Sequence, residues 1–226
     1  MAFEFYDASL YLDSYISGKK VSGQNLIVPE VQRQLQDLTT FFDSRDQLCY
    51  SDNCRPDEII TNLFISGYNS AIQFEQLKEQ GFTHVLNVNS RVSLEHIDAY
   101  ESRGIKFTHV PMEDDLGYDM RRNFNAAIAF IRMAIIDGGR ILVHCQVGKS
   151  RSSTVIAAYL IVFRDYSAST ALKEMVFKRP MISPNRRFLQ FLCELEVKVK
   201  ESKRTDAPPG KPNLVVEDKS MPNLKI

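Results

Sequence analysis

The segment Val143-His-Cys-Gln-Val-Gly-Lys-Ser-Arg-Ser152 constrains this chain more than any other. An apolar stretch, Arg140-Ile-Leu-Val143, runs directly into a thiol. A short loop with one glycine follows, then an arginine. From Ser152 the pattern turns helical, with Thr154, Val155, Ala157, Ala158, Leu160 and Ile161. The order is strand, tight loop, helix. A loop entering a helix in this way aims consecutive backbone N–H groups at one point and forms an anion nest. The same amides and the helix dipole stabilise a thiolate at Cys145. Arg151 adds a planar, two-pronged donor for a phosphate. An activated sulfur beneath a phosphate cradle is apparatus for nucleophilic attack on phosphorus. Cys145 alone would read as an ordinary buried cysteine, one of the residue types most often inside. A bare arginine at a helix start is disfavoured by the dipole, and a bound dianion removes that penalty.

Periodicity places the rest. Val28 to Phe42 has a helical period, and Glu58 to Ile65 reads as one strand. Helices are predicted over 70–80, 92–103, 118–137, 152–164, 167–178 and 186–200, and strands over 83–88, 106–110 and 141–143. Alternating strands and helices imply an α/β sheet covered on both faces. Ligands bind at the carboxyl edge of such sheets. Residues 1–27 read as an N-terminal extension, 28–200 as the folded domain, and 201–226, with Pro208-Pro-Gly-Lys-Pro212, as a disordered tail.

Leaving-group chemistry needs a proton donor. Val110-Pro-Met-Glu-Asp-Asp115 puts three adjacent carboxylates, Glu113, Asp114 and Asp115, on the loop after a strand. Each could equally be a solvated loop residue or an acidic flank to the following helix.

These blocks resemble the cysteine-dependent dual-specificity protein phosphatases, most closely the small atypical members. His-Cys-(five residues)-Arg-Ser matches their signature. Ser150-Arg-Ser-Ser-Thr-Val-Ile-Ala-Ala-Tyr-Leu-Ile161 is similar to the helix that follows it. Arg179-Pro-Met-Ile-Ser-Pro-Asn185 with Phe188-Leu-Gln-Phe-Leu192 is similar to their closing loop and helix. Asn62-Leu-Phe-Ile-Ser-Gly67 and Gly81-Phe-Thr-His-Val-Leu-Asn-Val88 are similar to their opening strands. The resemblance implies a central five-stranded, mostly parallel sheet flanked by helices. It implies Cys145 as nucleophile, Arg151 as phosphate ligand, Ser152 as the donor that helps sulfur leave, and Asp114 as general acid, with Asp115 next. The phosphate would meet Gln146, Val147, Gly148, Lys149, Ser150 and Arg151. His144 would shape the loop from behind. The expected reaction is hydrolysis of phosphotyrosine and phosphoserine or phosphothreonine through a phosphocysteine, with no cofactor or metal. The alternatives are a phosphoinositide or other non-protein monoester phosphatase, and a phosphate-binding scaffold without turnover. Arg187 stands where many relatives have glycine, and Lys149 adds a charge to the loop. Together with Arg186 these could form a basic rim.

Composition narrows the partners. Hydrophobic content is 44%, charged content 25% and formal net charge zero. Bulk charge therefore offers nothing to nucleic acid. The expected partner is a phosphorylated protein. No signal peptide, membrane anchor or prenylation box is read at either end. The four cysteines, Cys49, Cys54, Cys145 and Cys193, do not form a disulfide framework or a zinc spacing. A reducing compartment is expected, the cytoplasm first and the nucleus second, because oxidation would disable the thiol.

Overall fold

The computed structural model describes residues 29–45 and 55–205. Expectations for residues 1–27, for Cys49 and Cys54, and for the tail beyond 205 lie outside the described residues.

The elements in chain order are α1 (Pro29–Asp43), β1 (Asp57–Ile60), β2 (Leu63–Ser66), α2 (Tyr68–Ala71), α3 (Phe74–Glu79), β3 (His84–Asn87), α4 (Leu94–Glu101), β4 (Lys106–His109), α5 (Phe124–Ile136), β5 (Ile141–His144), α6 (Arg151–Arg164), α7 (Ala168–Lys178) and α8 (Arg186–Thr205). The strands form one five-stranded sheet in the order β1-β2-β5-β3-β4. Only the β1–β2 pair is antiparallel; β2–β5, β5–β3 and β3–β4 run parallel. The five-stranded, mostly parallel α/β sheet expected from the sequence is therefore present.

Side chains alternate along each strand, so two cores form. Leu63, Ile65, Leu86, Ile141 and Val143 face a large cluster built with α1, α5, α6, α7 and α8. Phe64, Val85 and Leu142 face a smaller one with Ala71, Leu77, Phe82, Tyr100 and Ile105. Helix α6 is buried from Ser152 to Ile161. Its buried hydroxyls bond back to the preceding turn: Ser153 Oγ to the Lys149 carbonyl at 2.7 Å, and Thr154 Oγ1 to the Ser150 carbonyl at 2.7 Å.

Four elements depart from the sequence reading in kind or by more than two residues. The single strand expected over 58–65 is a hairpin, turned at Thr61-Asn62 with Asn62 at φ +67°. Asparagine tolerates that left-handed conformation, and a two-residue connection suffices for antiparallel strands. The helix expected over 70–80 is two short ones, α2 and α3. The helix expected from Tyr118 begins at Phe124, because a 3-10 turn at Met120–Arg122 precedes it, capped by Asp119 Oδ1 accepting from the Arg121 amide at 3.1 Å. Helix α8 runs to Thr205 rather than to 200.

Candidate active site

Strand β5 delivers His144 and Cys145 to the carboxyl edge of the sheet, and α6 begins at Arg151. Between them the loop Gln146–Ser150 turns all five of its carbonyls away from the cavity. Gln146 O accepts from the Tyr68 amide at 3.0 Å. Val147 O and Gly148 O accept from Arg179, through Nη2 at 3.1 Å and Nε at 3.0 Å. Lys149 O accepts from the Ser183 amide at 3.0 Å, and Ser150 O from the Thr154 amide at 3.0 Å. In a trans peptide the next N–H points opposite to the carbonyl. The amides of residues 147–151 therefore converge on the other side, and a nest results.

Two constraints hold this shape. Gly148 sits at φ +72°, and a Cβ there would lie 2.6 Å from the Ser66 carbonyl carbon and oxygen. Only glycine satisfies both the angle and the approach. Arg179 is almost fully buried and is neutralised by Asp57 Oδ2 at 2.7 Å.

Cys145 lies at the bottom of a cavity of about 290 Å³ lined by Asp114, Cys145, Val147, Lys149, Ser150, Arg151, Ser183, Pro184 and Asn185. Its Sγ is 3.2 Å from Ser152 Oγ and accepts from the Gly148 amide at 3.3 Å. Burial pushes the thiol pKa up. The Ser152 hydroxyl and amide, the Arg151 charge and the Gly148 amide outweigh burial, and the pKa falls below the ordinary thiol value. Cys193 shows the opposite balance. Burial, with Glu196 and Glu194 nearby, pushes it up to about 12.

Arg151 heads α6 and is mostly buried. Its Nη1 donates to Met112 O at 3.2 Å, and its Nε has no hydrogen-bond partner among the described residues. Asp114 Oδ2 is 3.8 Å from that Nε.

The three carboxylates of the acidic loop separate cleanly. Asp115 Oδ1 accepts from the Gly117 amide at 2.6 Å and closes a local turn. Glu113 Oε2 accepts from Ser90 Oγ at 2.5 Å. Asp114 alone of the three lines the cavity. Its Oδ1 accepts from Ser150 Oγ and from Asn185 Nδ2, both at 2.8 Å. The loop is pinned from below by the Tyr118 hydroxyl at 3.1 Å and by Asn123 Nδ2 at 2.7 Å, both donating to Pro111 O.

Asn185 and Arg179 were not singled out as site residues from the sequence. Both lie in Arg179-Pro-Met-Ile-Ser-Pro-Asn185, and the Pro-Asn pair before an apolar helix was the available signal. Asn185 also caps α8, its Oδ1 accepting from the Phe188 amide at 3.0 Å. The basic rim expected from Lys149, Arg186 and Arg187 does not assemble. Lys149 lines the cavity, Arg186 is exposed outside it, and Arg187 lines a separate crevice with Asp119 and Arg121. The Asp119 carboxylate in that crevice is paired with Arg121 Nε at 2.8 Å.

His144 is fully enclosed behind the loop, and burial pushes its pKa down to about 4. It is neutral in the folded state, whereas an unfolded imidazole binds a proton near 6.5. Its contribution to stability is therefore full above about pH 6.5 and is lost as pH falls from there towards 4. Between pH 7 and 5 the expected loss is about 2 kcal/mol, at about 1.4 kcal/mol per pH unit once below 6.5. Urea midpoints measured at both pH values should show this loss in the wild type and not in His144→Asn. Equal pH slopes in the two proteins would refute it.

Comparison with known proteins agrees with this fold. The family described as "Dual specificity phosphatase, catalytic domain" matches residues 63–198. Among curated relatives, "Dual specificity protein phosphatase 26" of Bos taurus is 37% identical over 146 residues, covering 64% of this chain and 69% of the relative. "Dual specificity protein phosphatase 1" of Arabidopsis thaliana is 35% identical over 147 residues, covering 65% and 72%. The crystal structure of human DUSP28 superposes with a TM-score of 0.58 at 28% identity, covering 64% of this chain and 95% of that one. With a matching family domain over more than half its length and the five-stranded fold in place, the chain belongs to the dual specificity phosphatase family and is a cysteine-dependent protein phosphatase.

Proposed function

We propose that Cys145 attacks the phosphorus of a phosphorylated protein side chain and forms a phosphocysteine. The observation that carries this reading is a lowered-pKa sulfur at the base of a cavity whose rim holds one carboxylate, Asp114. The thiolate forms the S–P bond while the O–P bond breaks. The nest amides of residues 147–151 and the guanidinium of Arg151 hold the phosphoryl oxygens as charge develops on them. Asp114 gives its proton to the departing oxygen. Oδ1 is already occupied by two donors, which leaves Oδ2 to carry that proton. In the second step the Asp114 carboxylate takes a proton from water, and the water oxygen attacks phosphorus. The S–P bond breaks, and Ser152 Oγ, 3.2 Å from Sγ, stabilises the departing thiolate. The proton that Asp114 gives to the leaving oxygen in the first step is regained from water in the second.

The catalytic unit in this reading is residues 28–200. Helix α1 belongs to it because Val31 and Leu38 are buried in the same core as α8. Phosphotyrosine should turn over at least as well as phosphothreonine, since its longer side chain reaches a buried sulfur more easily and a phenoxide leaves better. No helix among the described residues is long and apolar enough to cross a membrane. The need to keep Cys145 reduced supports a cytoplasmic location, with the nucleus second.

The test is the leaving group. Asp114→Asn should lower kcat by about 10² for phenyl phosphate, within the range of general acid catalysis. For an activated aryl phosphate, whose oxygen leaves unprotonated, the loss should be much smaller. If Asp115→Asn gives this pattern and Asp114→Asn does not, the acid is the neighbouring residue.

A further inference from the structure

We propose that Arg45, just beyond the end of α1, is a positioning residue for Asp114 and acts by clamping the closing loop at 180–185. This rests on the reading of Asp114 as the general acid. Arg45 Nη1 donates to Ile182 O at 3.1 Å, and Nη2 donates to Pro180 O. One planar guanidinium thus spans two carbonyls of the loop, on either side of Met181, and adds to the anchor that the buried Ile182 side chain makes in the main core. Pro180 and Pro184 have no amide to donate, and the loop's own backbone bond is Ile182 N to Arg179 O at 3.1 Å.

What the loop carries gives the clamp its consequence. The residue after Ile182 is Ser183, whose amide holds the Lys149 carbonyl out of the nest. Two further on, Asn185 donates from its amide to Ser150 Oγ at 3.3 Å and from Nδ2 to Asp114 Oδ1 at 2.8 Å. A chain of bonds therefore runs from Arg45 through the loop backbone to the carboxylate. Arg45 is itself fixed. Its guanidinium lies 5.6 Å from the Phe41 ring centroid and 5.8 Å from that of Phe42. Helix α1 is held to α8 by its buried Val31 and Leu38 and by Gln34 Nε2 donating to the buried Glu196 at 3.4 Å. Neither α1 nor Arg45 lies within the family match at 63–198. The clamp therefore reaches the closing loop from outside the matched stretch.

The experiment compares full-length wild type, Arg45→Ala, Arg45→Lys, Asp114→Asn and the Arg45→Ala/Asp114→Asn double variant. Hydrogen exchange at the Ser183 and Asn185 amides reads the clamp, and should speed up by more than about tenfold in Arg45→Ala as local opening becomes easier. Turnover reads the consequence. Arg45→Ala should lower kcat for phenyl phosphate by about tenfold, part of the acid's worth, and that for para-nitrophenyl phosphate by less than about twofold. Arg45→Lys, which cannot span both carbonyls, should fall between wild type and alanine. The selective loss should vanish in the Asp114→Asn background. Unchanged amide exchange, equal loss on both substrates, or a loss that persists without Asp114 would each overturn the proposal. An Asp114→Asn variant with no leaving-group dependence would sink the acid reading, and the positioning role with it. A normal Asp114→Asn beside an indifferent Arg45→Ala would sink the clamp alone.

Discussion

Cys145→Ser is expected to fold, to bind phosphate and to turn over nothing measurable, with kcat reduced by roughly 10⁵ to 10⁶, the scale on which a covalent nucleophile is lost. The substitution changes one atom in a buried position, so packing is nearly conserved. Serine fails because its hydroxyl is protonated at neutral pH, and Asp114, the carboxyl in the cavity, is used as the acid in the same step. His144 is fully buried with its pKa near 4, behind the loop rather than in the cavity. The site stabilises a charge that sulfur can carry and oxygen cannot. The same argument predicts selective alkylation of the wild type. Iodoacetate should modify Cys145 rapidly with loss of activity, phosphate or vanadate should protect it, and Cys193, whose pKa is raised to about 12, should react far more slowly. Mass spectrometry of the labelled peptides decides this, and equal rates at the two cysteines with activity intact would refute it.

Arg151→Lys is expected to lower kcat/KM by at least about 10³, on the scale of an arginine that stabilises a transferring phosphoryl group. Lysine keeps the charge and loses the fork. In the structure Nη1 is committed to Met112 O, which ties the guanidinium plane to the acidic loop, while Nε is left without a hydrogen bond beside the cavity. An ammonium can make one of these contacts but not hold both geometries. Steady-state rates on a phosphotyrosine peptide test this. Turnover near the wild-type level would mean that the backbone nest holds the phosphate unaided.

Much of this site could be read from residues close together in the chain. Cys145 and Arg151 bracket one loop, and the strand before it and the helix after it are both marked by local apolar period. The single glycine of that loop, Gly148, takes the left-handed backbone angle that its residue type allows, at φ +72°. The run from Glu58 to Ile65 misled for a local reason too. Its apolar residues are nearly continuous, and the turn at Thr61-Asn62 contains no glycine or proline to announce it. The basic rim failed because charge alone does not say which way an arginine points. Arg187 lines a crevice with Asp119 and Arg121, away from the cavity that holds Cys145.

By itself the sequence determined the strand-loop-helix unit, the sulfur and arginine at its ends, and the α/β class, because these follow from short-range period, turn chemistry and a spacing of a few residues. The resemblance named Asp114 among three adjacent carboxylates, and the tertiary structure supplies the physical reason that this one lines the cavity. Glu113, Asp114 and Asp115 are chemically alike in the chain. They part company because Ser90 takes the first, the Gly117 amide takes the last, and Asn185, distant in sequence, reaches the middle one. The same holds for the carbonyls of the phosphate loop, which are turned outward by Tyr68, Arg179 and Ser183. Those donors come from α2, the end of α7 and the closing loop, segments that meet only once the sheet and both its helical layers are packed. Hydrogen-bond partners across such separations are set by packing, and no local pattern encodes them.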